Sequence, residues 1–324
     1  MWGMITEKTV FVLGAGASKP YGFPLGQELA DEMIRLLNPN PTDNQPRVTA
    51  VVRAADCKVS DLVSFLNDLR DSQVESVDAF LEHRPDLVPV GKHAIAAMLL
   101  FAECQHGLRD CKREQNWYQY LLKMLNPSFD AFHENQLSII TYNYDRSLEE
   151  FLFKALRVRE VGSHSPEDWA ARLKECLPIV HLHGQLGGYE PFVGRAANAH
   201  VPYGEWRDGG FVAKAGDAIR VIHESFDLDA DPVFQKAYKM ISEAKHLFFI
   251  GFGYDPINLK RLRLGQHMPP TCSLDGTAFG LTLEEKNHKL QFFGMKLALD
   301  ALADPSLDAL AFIRGNPQMQ KLYK

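Results

Sequence analysis

The sequence predicts an α/β fold in which helices cover a parallel sheet. Four short apolar runs have strand composition, at Thr9–Leu13, Leu137–Thr141, Pro178–Gly184 and His246–Ile250. Amphipathic helical patterns separate these runs, and each run leads into a polar or glycine-rich segment. Strands that alternate with helices favour a parallel sheet with helices on both faces, and such sheets bind ligands beyond the carboxyl ends of their strands.

The 324 residues allow one large domain or two. We assign 1–37 and 135–303 to the sheet domain, 38–134 to an inserted helical subdomain, and 304–324 to a C-terminal tail. The helical block is interpreted as an insertion because one strand precedes it and the other strands follow it. A last short strand is expected at Thr277–Thr282.

The first strand continues directly into Gly14-Ala15-Gly16-Ala17-Ser18, and a helical pattern follows over Leu25–Leu37. A buried strand, a tight glycine turn and a helix N-terminus predict a cradle for a phosphate, because free N–H groups and the helix dipole favour negative charge. The dinucleotide pattern Gly-x-Gly-x-x-Gly is incomplete, since Lys19 occupies its third glycine position. The alternative is that Gly14 and Gly16 only permit a tight turn.

Composition argues against several classes of protein. The net charge of −6 argues mildly against a broad nucleic-acid surface, so direct nucleic-acid binding is not expected. Five scattered cysteines without a C-x-x-C pair argue against a zinc site and fit a reducing cytoplasm. Apolar runs such as Leu247–Ile250 are too short to span a bilayer, and Met1–Lys8 does not resemble a signal peptide. We therefore expect a cytoplasmic protein without a membrane partner.

Several motifs, in order along the chain, resemble those of the sirtuin superfamily. Gly14–Ser18 looks like the family's G-A-G-x-S loop, and Gly22-Phe23-Pro24 looks like its G-I-P motif. Thr141–Asp145 looks like its T-x-N-x-D motif, and Leu182-His183-Gly184 looks like its L-H-G motif. Gly251-Phe252 looks like its G-T-S turn. The resemblance covers Thr9 to Asn287. It implies a Rossmann-like NAD-binding fold of the sirtuin or DHS-like type, with the helical block as its usual insertion.

Two departures distinguish the chain from sirtuin deacylases. Leu25-Gly26-Gln27 replaces their D-F-R, and Cys272 alone lies where they carry a four-cysteine zinc module, so no zinc is expected. The chain instead looks like the bacterial sirtuin-like NAD hydrolases of anti-phage defence, to which Ser76–Leu81 and Gly253–Asn258 are also similar. The resemblance implies depletion of NAD by an oligomer of this chain, with a separate ATPase or sensor protein as a possible partner.

Hydrolysis of NAD releases nicotinamide and ADP-ribose through an oxocarbenium-like transition state. The leaving group needs no proton because its ring nitrogen is cationic in NAD, so the site must chiefly orient the ribose and a water molecule. His183 is our candidate general base, and His181 is the rival. Asn143 is expected to hold the ribose or the water. Asp145 is expected to bind the carboxamide of nicotinamide or, equally, to cap the following helix.

The remaining candidate residues would bind the cofactor substrate. The resemblance assigns the pyrophosphate to Gly14, Ala15, Gly16 and Ser18, and it adds Pro24, Gly251 and Phe252 from the neighbouring motifs. Asp255 and Asn258 are expected to contact the adenosine ribose, or else only to form a turn.

Two alternatives to NAD hydrolysis stay open at this stage. Within the enzyme class, the chain would be an NAD-dependent protein deacylase or an ADP-ribosyltransferase. In a different class, it would be a non-catalytic module that senses NAD or ADP-ribose and regulates a partner.

Overall fold

The computed structural model describes residues 3–322 except for 40–44, 105–106, 160–163, 222–226, 296 and 299. The strands in these residues are β1 (Thr9–Leu13), β2 (Leu137–Thr141), β3 (Ile179–His181), β4 (Gly188–Tyr189), β5 (His200–Val201), β6 (His246–Ile250) and β7 (Ser273–Gly276). The main sheet has five parallel strands in the order β3-β2-β1-β6-β7, and β4 pairs with β5 in a small second sheet.

Strand β1 lies at the centre of the sheet, and its carboxyl end meets those of two neighbours. Leu13 is in register with Thr141 of β2 and with Ile250 of β6. The strand order reverses direction between β1 and β6, which is the switch point where open α/β sheets bind ligands. The expectation of an α/β fold with a parallel sheet is confirmed, and the strand order is compatible with a Rossmann-like fold.

The apolar character of β1 follows from burial on both faces. Val10 and Val12 belong to one hydrophobic cluster, whereas Phe11 and Leu13 belong to the other. Successive side chains of a strand point to opposite faces, so a strand covered on both sides is apolar throughout. The uninterrupted apolar run is therefore what a central parallel strand requires.

The regular structure described between β1 and β2 is helical. Its 3₁₀ turns are Lys19–Tyr21, Pro85–Leu87 and Phe132–Glu134, and its helices are α1 (Ala15–Ser18), α2 (Gly26–Leu36), α3 (Pro46–Ala54), α4 (Val59–Ser72), α5 (Val77–His83), α6 (Val88–Cys104), α7 (Gly107–Asp110) and α8 (Trp117–Met124).

The later helices cover the sheet or extend the helical block. They are α9 (Ser147–Arg159), α10 (Pro166–Cys176), α11 (Glu190–Val193), α12 (Gly209–Ala218), α13 (Pro232–Glu243), α14 (Pro256–Leu262), α15 (Leu264–His267), α16 (Leu283–Leu290), α17 (Ala309–Gly315) and α18 (Pro317–Leu322), with a 3₁₀ turn at Gln291–Phe293. Helix α12 packs against α3 and α6, so the helical block and a later part of the chain share one hydrophobic core.

The helix predicted over Leu25–Leu37 is present as α2, and the glycine turn before it contains a shorter helix. Helix α1 has only four residues, and the long helix α2 begins at Gly26. Pro20 lies in the intervening 3₁₀ turn, and Gly22 ends that turn with a φ of 89°. The 3₁₀ turn and the residues up to Leu25 thus separate the glycine turn from the N-terminus of α2.

Two strand predictions differ from the structure. Strand β3 ends at His181, so His183 lies in the turn beyond it and does not share a strand face with His181. Thr277–Thr282 is not a strand. The chain turns within this segment at Gly280, where φ is 79°. The last strand is instead β7, which ends at Gly276. The Ser-Leu-Asp-Gly sequence of β7 lacks the apolar pattern of a central strand because β7 lies at the sheet edge.

The glycine-rich segment 185–210 contains strands β4 and β5 and helix α11. Helices α17 and α18 lie in the C-terminal tail.

The segment Pro85–Cys104, which ends with α6, is long and apolar enough to cross a membrane by length and composition. Asp86, Lys92 and His93 interrupt its apolar residues, so it is not a continuous apolar run. In the structure 61% of its most apolar window is buried inside the protein, where α6 packs against α3 and α12. Such burial is typical of a core helix, whose apolar residues serve internal packing.

Candidate active site

Two adjoining cavities lie beyond the carboxyl ends of β1, β2 and β6. The smaller has a volume of about 260 Å³ and the larger about 780 Å³. They share Ala15, Gly26, Phe252 and Gly253 as lining residues, so the glycine turn after β1 runs along both. The pair of cavities therefore occupies the switch point of the sheet.

Every residue predicted for the site, except the rival base His181, lines one of these two cavities. Gly16 and Gly251 line the larger cavity. The others line the smaller one: Gly14, Ala15, Ser18, Pro24, Asn143, Asp145, His183, Phe252, Asp255 and Asn258. Residues more than 240 positions apart in the chain thus meet in one place, because the parallel strands bring their carboxyl ends to the same edge.

The glycine turn packs backbone against backbone with the exit of β6. The N–H of Gly14 donates to Ile250 O (3.1 Å), and the N–H of Gly16 donates to Gly251 O (2.9 Å). A Cβ atom at Gly14 would lie 2.7 Å from Gly251 O. The glycines are thus required for this close approach, and two of the N–H groups expected to face a phosphate are bonded to the protein itself.

We expect Gly251→Ala to destabilise the fold. Gly251 has a φ of 59°, and an added Cβ would lie 2.0 Å from Ala17 N. The left-handed conformation should cost an alanine about 1–2 kcal/mol, and the overpacking about 1–3 kcal/mol more. Urea unfolding measures the loss. Gly253→Ala is the matched control, because no atom lies within 4 Å of an added Cβ there. Equal stability of the two variants would contradict the prediction.

Asn143 connects the exit of β2 to the glycine turn. Its Nδ2 donates to Gly14 O (2.9 Å) and to Ser18 Oγ (3.0 Å), and its N–H donates to Thr141 Oγ1 (3.0 Å). The side chain is therefore fixed at the boundary between the turn and the smaller cavity.

His181 supports Asn143 from behind the cavity. Its Nδ1 lies 2.8 Å from Asn143 O, and its Nε2 lies 2.7 Å from Glu149 Oε1. Burial opposes the charged imidazole, but the Glu149 carboxylate outweighs burial and raises the pKa of His181. Both ring nitrogens are thus committed to protein contacts, and His181 is not among the residues that line the smaller cavity. This placement suits a structural role better than that of the rival base.

Asp145 lines the smaller cavity and also contacts the start of α9. Its Oδ1 accepts hydrogen bonds from the N–H (3.1 Å) and from the hydroxyl of Ser147. Burial raises the pKa of Asp145, while hydrogen bonds from Ser147 and Ser18 oppose that shift. The two roles considered for Asp145 are therefore compatible, because one carboxylate reaches both the cavity wall and the helix terminus.

Among the histidines that the structure describes, His183 is the one that lines the smaller cavity, and its imidazole is buried. Its Nε2 lies 3.3 Å from Asn258 Oδ1, and its ring centroid lies 5.4 Å from that of Tyr142. Burial, followed by the positive charges of Arg261 and Arg220, lowers its pKa to about 4. The imidazole is consequently neutral at pH 7 and able to accept a proton.

Gly184 fixes the turn that carries His183. It has a φ of 75°, and an added Cβ would lie 2.0 Å from Ala218 O. The carbonyl of His183 accepts a hydrogen bond from Arg220 N at 2.7 Å. The His-Gly sequence thus places the imidazole in the cavity by docking its backbone against the segment after α12.

Asp255 and Asn258 lie in the same cavity as His183. Asp255 caps α14 by accepting the N–H of Asn258 (2.9 Å), and both residues line the smaller cavity. Neither is among the lining residues of the larger cavity.

The helical block contributes residues that our site prediction omitted. Ser76, Asp78 and Leu99 line the smaller cavity, as do Tyr142 and Tyr144 from the loop after β2. The Tyr144 hydroxyl lies 3.4 Å from Asp78 Oδ1 and donates to Arg220 O at 2.9 Å. Most of these residues lie within the Ser76–Leu81 and Thr141–Asp145 motifs.

The helical block also contacts the glycine turn directly. The indole N–H of Trp117 on α8 donates to Ala17 O (2.8 Å), and the ring of Tyr118 stacks on that of Tyr21 with centroids 3.7 Å apart. The Tyr118 hydroxyl lies 2.7 Å from Ser147 Oγ, next to Asp145. We call Trp117, Tyr118, Tyr21 and Ala17 the aromatic link.

A buried ion pair holds the segment next to Asp145. The guanidinium of Arg146 donates to both Glu103 oxygens (3.0 and 2.6 Å) and to Val201 O (2.7 Å). Both side chains are 0% exposed. Burial opposes the charge of Arg146, yet Glu103 outweighs burial and raises the pKa of the guanidinium. The pair therefore joins α6 of the helical block to the start of α9.

A scan of the sequence against models of known protein families finds no match, and no curated protein matches the chain significantly. The resemblance to sirtuin-like NAD hydrolases therefore stays a prediction from the motifs. In the described residues, no group of three or more His, Cys, Asp and Glu side chains is arranged to hold a metal ion.

Proposed function

We propose that this protein is an NAD hydrolase that cleaves the nicotinamide–ribose bond and releases nicotinamide and ADP-ribose. The observation that carries the proposal is the meeting of a neutral, buried His183 with Asn143 and Asp145 in a cavity at the switch point. The motifs that supply these residues are those that resemble the sirtuin-like hydrolases.

The two cavities suit the two halves of a dinucleotide. Drug-sized ligands occupy pockets of roughly 300–1,000 Å³. The smaller cavity, at about 260 Å³, would take the nicotinamide ribose, and the larger, at about 780 Å³, would take the adenosine half. The pyrophosphate would then cross the turn at Ala15, which both cavities share.

The chemistry needs one proton acceptor and a stabilised cationic ribose. The bond from the ribose C1′ to the nicotinamide nitrogen breaks, and its electron pair stays on that nitrogen, which becomes neutral. The oxygen of water bonds to C1′, and the released proton passes to the neutral imidazole of His183. The carboxylates of Asp145 and Asp78 line the same cavity and would favour positive charge on the ribose.

Water suits this cavity better than a protein side chain does as the group that bonds to C1′ of the ribose. Leu99 and Ser76 of the helical block and Leu29 of α2 form part of its wall. This wall supports hydrolysis over deacylation or ADP-ribosyl transfer, because those reactions must admit an acyl-lysine or another protein group.

The biological role belongs to the same proposal. By resemblance, the protein would act in the cytoplasm in anti-phage defence by depleting NAD, as a homo-oligomer or with a separate ATPase or sensor protein. Light scattering over a dilution series tests the oligomer, and a monomer at every concentration would contradict it.

Incubation of the purified protein with NAD, with and without an acetylated peptide, tests the activity directly. We expect nicotinamide and ADP-ribose in equal amounts without peptide, as resolved by liquid chromatography. Asn143→Ala should lower turnover, whereas the exposed Asn287→Ala should not. Turnover only with peptide would show a deacylase, and tight NAD binding by calorimetry without any product would show a sensing module.

A further inference from the structure

A third cavity, of about 660 Å³, lies outside the candidate active site. It is lined by the end of α6, by α7, by one side of α9 and by the segment after β5. Among the described residues, it shares no lining residue with either cavity at the switch point. Helix α7 separates it from the larger of those cavities, because Leu108 and Arg109 line the third cavity whereas Gly107 and Asp110 line the larger one.

Three basic side chains line the third cavity. Arg109 of α7 and Arg159 at the end of α9 are exposed, and the side chain of Lys154 is 62% exposed. A guanidinium stays charged at any pH that a folded protein tolerates, and its planar set of N–H donors matches the geometry of phosphate oxygens. The exposed edge of the cavity is therefore suited to bind an anion.

The two carboxylates that line the third cavity are already bound within the protein. Glu103 accepts hydrogen bonds from the guanidinium of Arg146, and its side chain is 0% exposed. Glu150 accepts the hydroxyl of Tyr189 (2.6 Å) and pairs with Lys154, and its side chain is 8% exposed. Their negative charges are thus compensated by protein partners and present little surface that would repel an anion.

The walls of the third cavity are apolar and partly aromatic. Phe151, Ala155 and Val158 are spaced by four and three residues, so they form one stripe along α9. Val158 is 72% exposed, and Tyr203 adds a second aromatic side chain from the segment after β5. Aromatic side chains bind the flat face of a nucleic-acid base by stacking. The cavity thus combines surfaces for a base with charges for a phosphate.

We propose that the third cavity is a ligand site for a nucleoside phosphate. The base would pack against Phe151 and Tyr203, and the phosphates would bind Arg109 and Arg159. The volume of about 660 Å³ lies within the range of roughly 300–1,000 Å³ that is typical of small-molecule sites. This site does not depend on the proposed hydrolysis of NAD, because it is built from other residues.

Calorimetric titration of the wild-type protein with ADP tests the site. A carbocyclic NAD analogue, whose bond to nicotinamide resists hydrolysis, first saturates the switch-point cavities. We then expect one further ADP to bind per chain. Loss of all ADP binding in the presence of the analogue would show that nucleotides bind only at the switch point and would overturn the proposal.

Charge reversal identifies the cavity that binds this ADP. Arg109→Glu and Arg159→Glu should each weaken its binding by at least about tenfold, because each removes a charge-assisted hydrogen bond to phosphate. Arg157→Glu is the matched control, since Arg157 is exposed on α9 and is not a lining residue. Both test positions are exposed, so folding should be preserved, and either variant alone is sufficient. Unchanged affinity in the folded variants would overturn the proposal.

Inorganic pyrophosphate tests the recognition of the base. It should bind at least about tenfold more weakly than ADP, because stacking of a base on aromatic side chains contributes about 1–3 kcal/mol. Equal affinity would overturn the assignment to a nucleoside phosphate.

Failure of this proposal is distinguishable from failure of the proposed function. A protein that does not bind the NAD analogue would count against the hydrolase. Binding of ADP that Arg159→Glu weakens and Arg157→Glu preserves would still support a ligand site in the third cavity.

Discussion

Replacement of His183 by glutamine is expected to lower the rate of NAD cleavage by about 10²- to 10⁴-fold, the range for loss of a general base. Glutamine occupies a similar volume and keeps hydrogen-bonding capacity towards Asn258, but it cannot accept and carry the proton. KM should therefore change little while kcat falls. Initial rates of nicotinamide release over a range of NAD concentrations separate the two parameters.

His288→Gln is the matched control for this experiment, because His288 is exposed on α16 and lines neither cavity. Its rate should equal that of the wild-type protein. Full turnover by His183→Gln would remove His183 from the chemistry and with it the central support for the proposed reaction.

Arg146→Met is expected to lower the free energy of unfolding by about 3–5 kcal/mol, because removal of one partner leaves a buried charge without compensation. Here Glu103 would lose the guanidinium while its side chain remains 0% exposed. The carbonyl of Val201 would lose its donor at the same time. Urea denaturation followed by circular dichroism measures the loss.

Two companion variants sharpen the interpretation of this result. Glu103→Gln combined with Arg146→Met removes both charges and should recover part of the stability. Arg195→Met breaks an ion pair in which Arg195 is 84% exposed and should have little effect. A similar small effect for Arg146→Met would show that water reaches Glu103 in solution.

The sheet was predictable where burial imposes a sequence pattern. Strands β1, β2 and β6 are apolar because helices cover both of their faces, and their predicted bounds match the structure. Strand β7 was missed because it lies at an edge, where Asp275 is tolerated. The short α1 was also missed, because a 3₁₀ turn that contains Pro20 follows it directly.

It was easier to predict which residues lie in the candidate site than to predict which groups each of their side chains contacts. Parallel strands bring residues at their carboxyl ends together, so the motifs had to meet. Their pairwise contacts depend on distances that no periodic pattern encodes. His181 and His183 are two positions apart, yet one contacts Glu149 and the other contacts Asn258, because the strand ends between them.

The aromatic link has a consequence for how the protein responds to binding. Trp117 and Tyr118 of the helical block contact the turn that would carry the pyrophosphate. Thermodynamic coupling between two sites is reciprocal. We therefore expect a ligand that orders the turn to protect α8 from hydrogen exchange, and a protein that distorts α8 to weaken ligand binding by the same coupling free energy. The helical block would then influence the affinity of the site as well as form part of its wall.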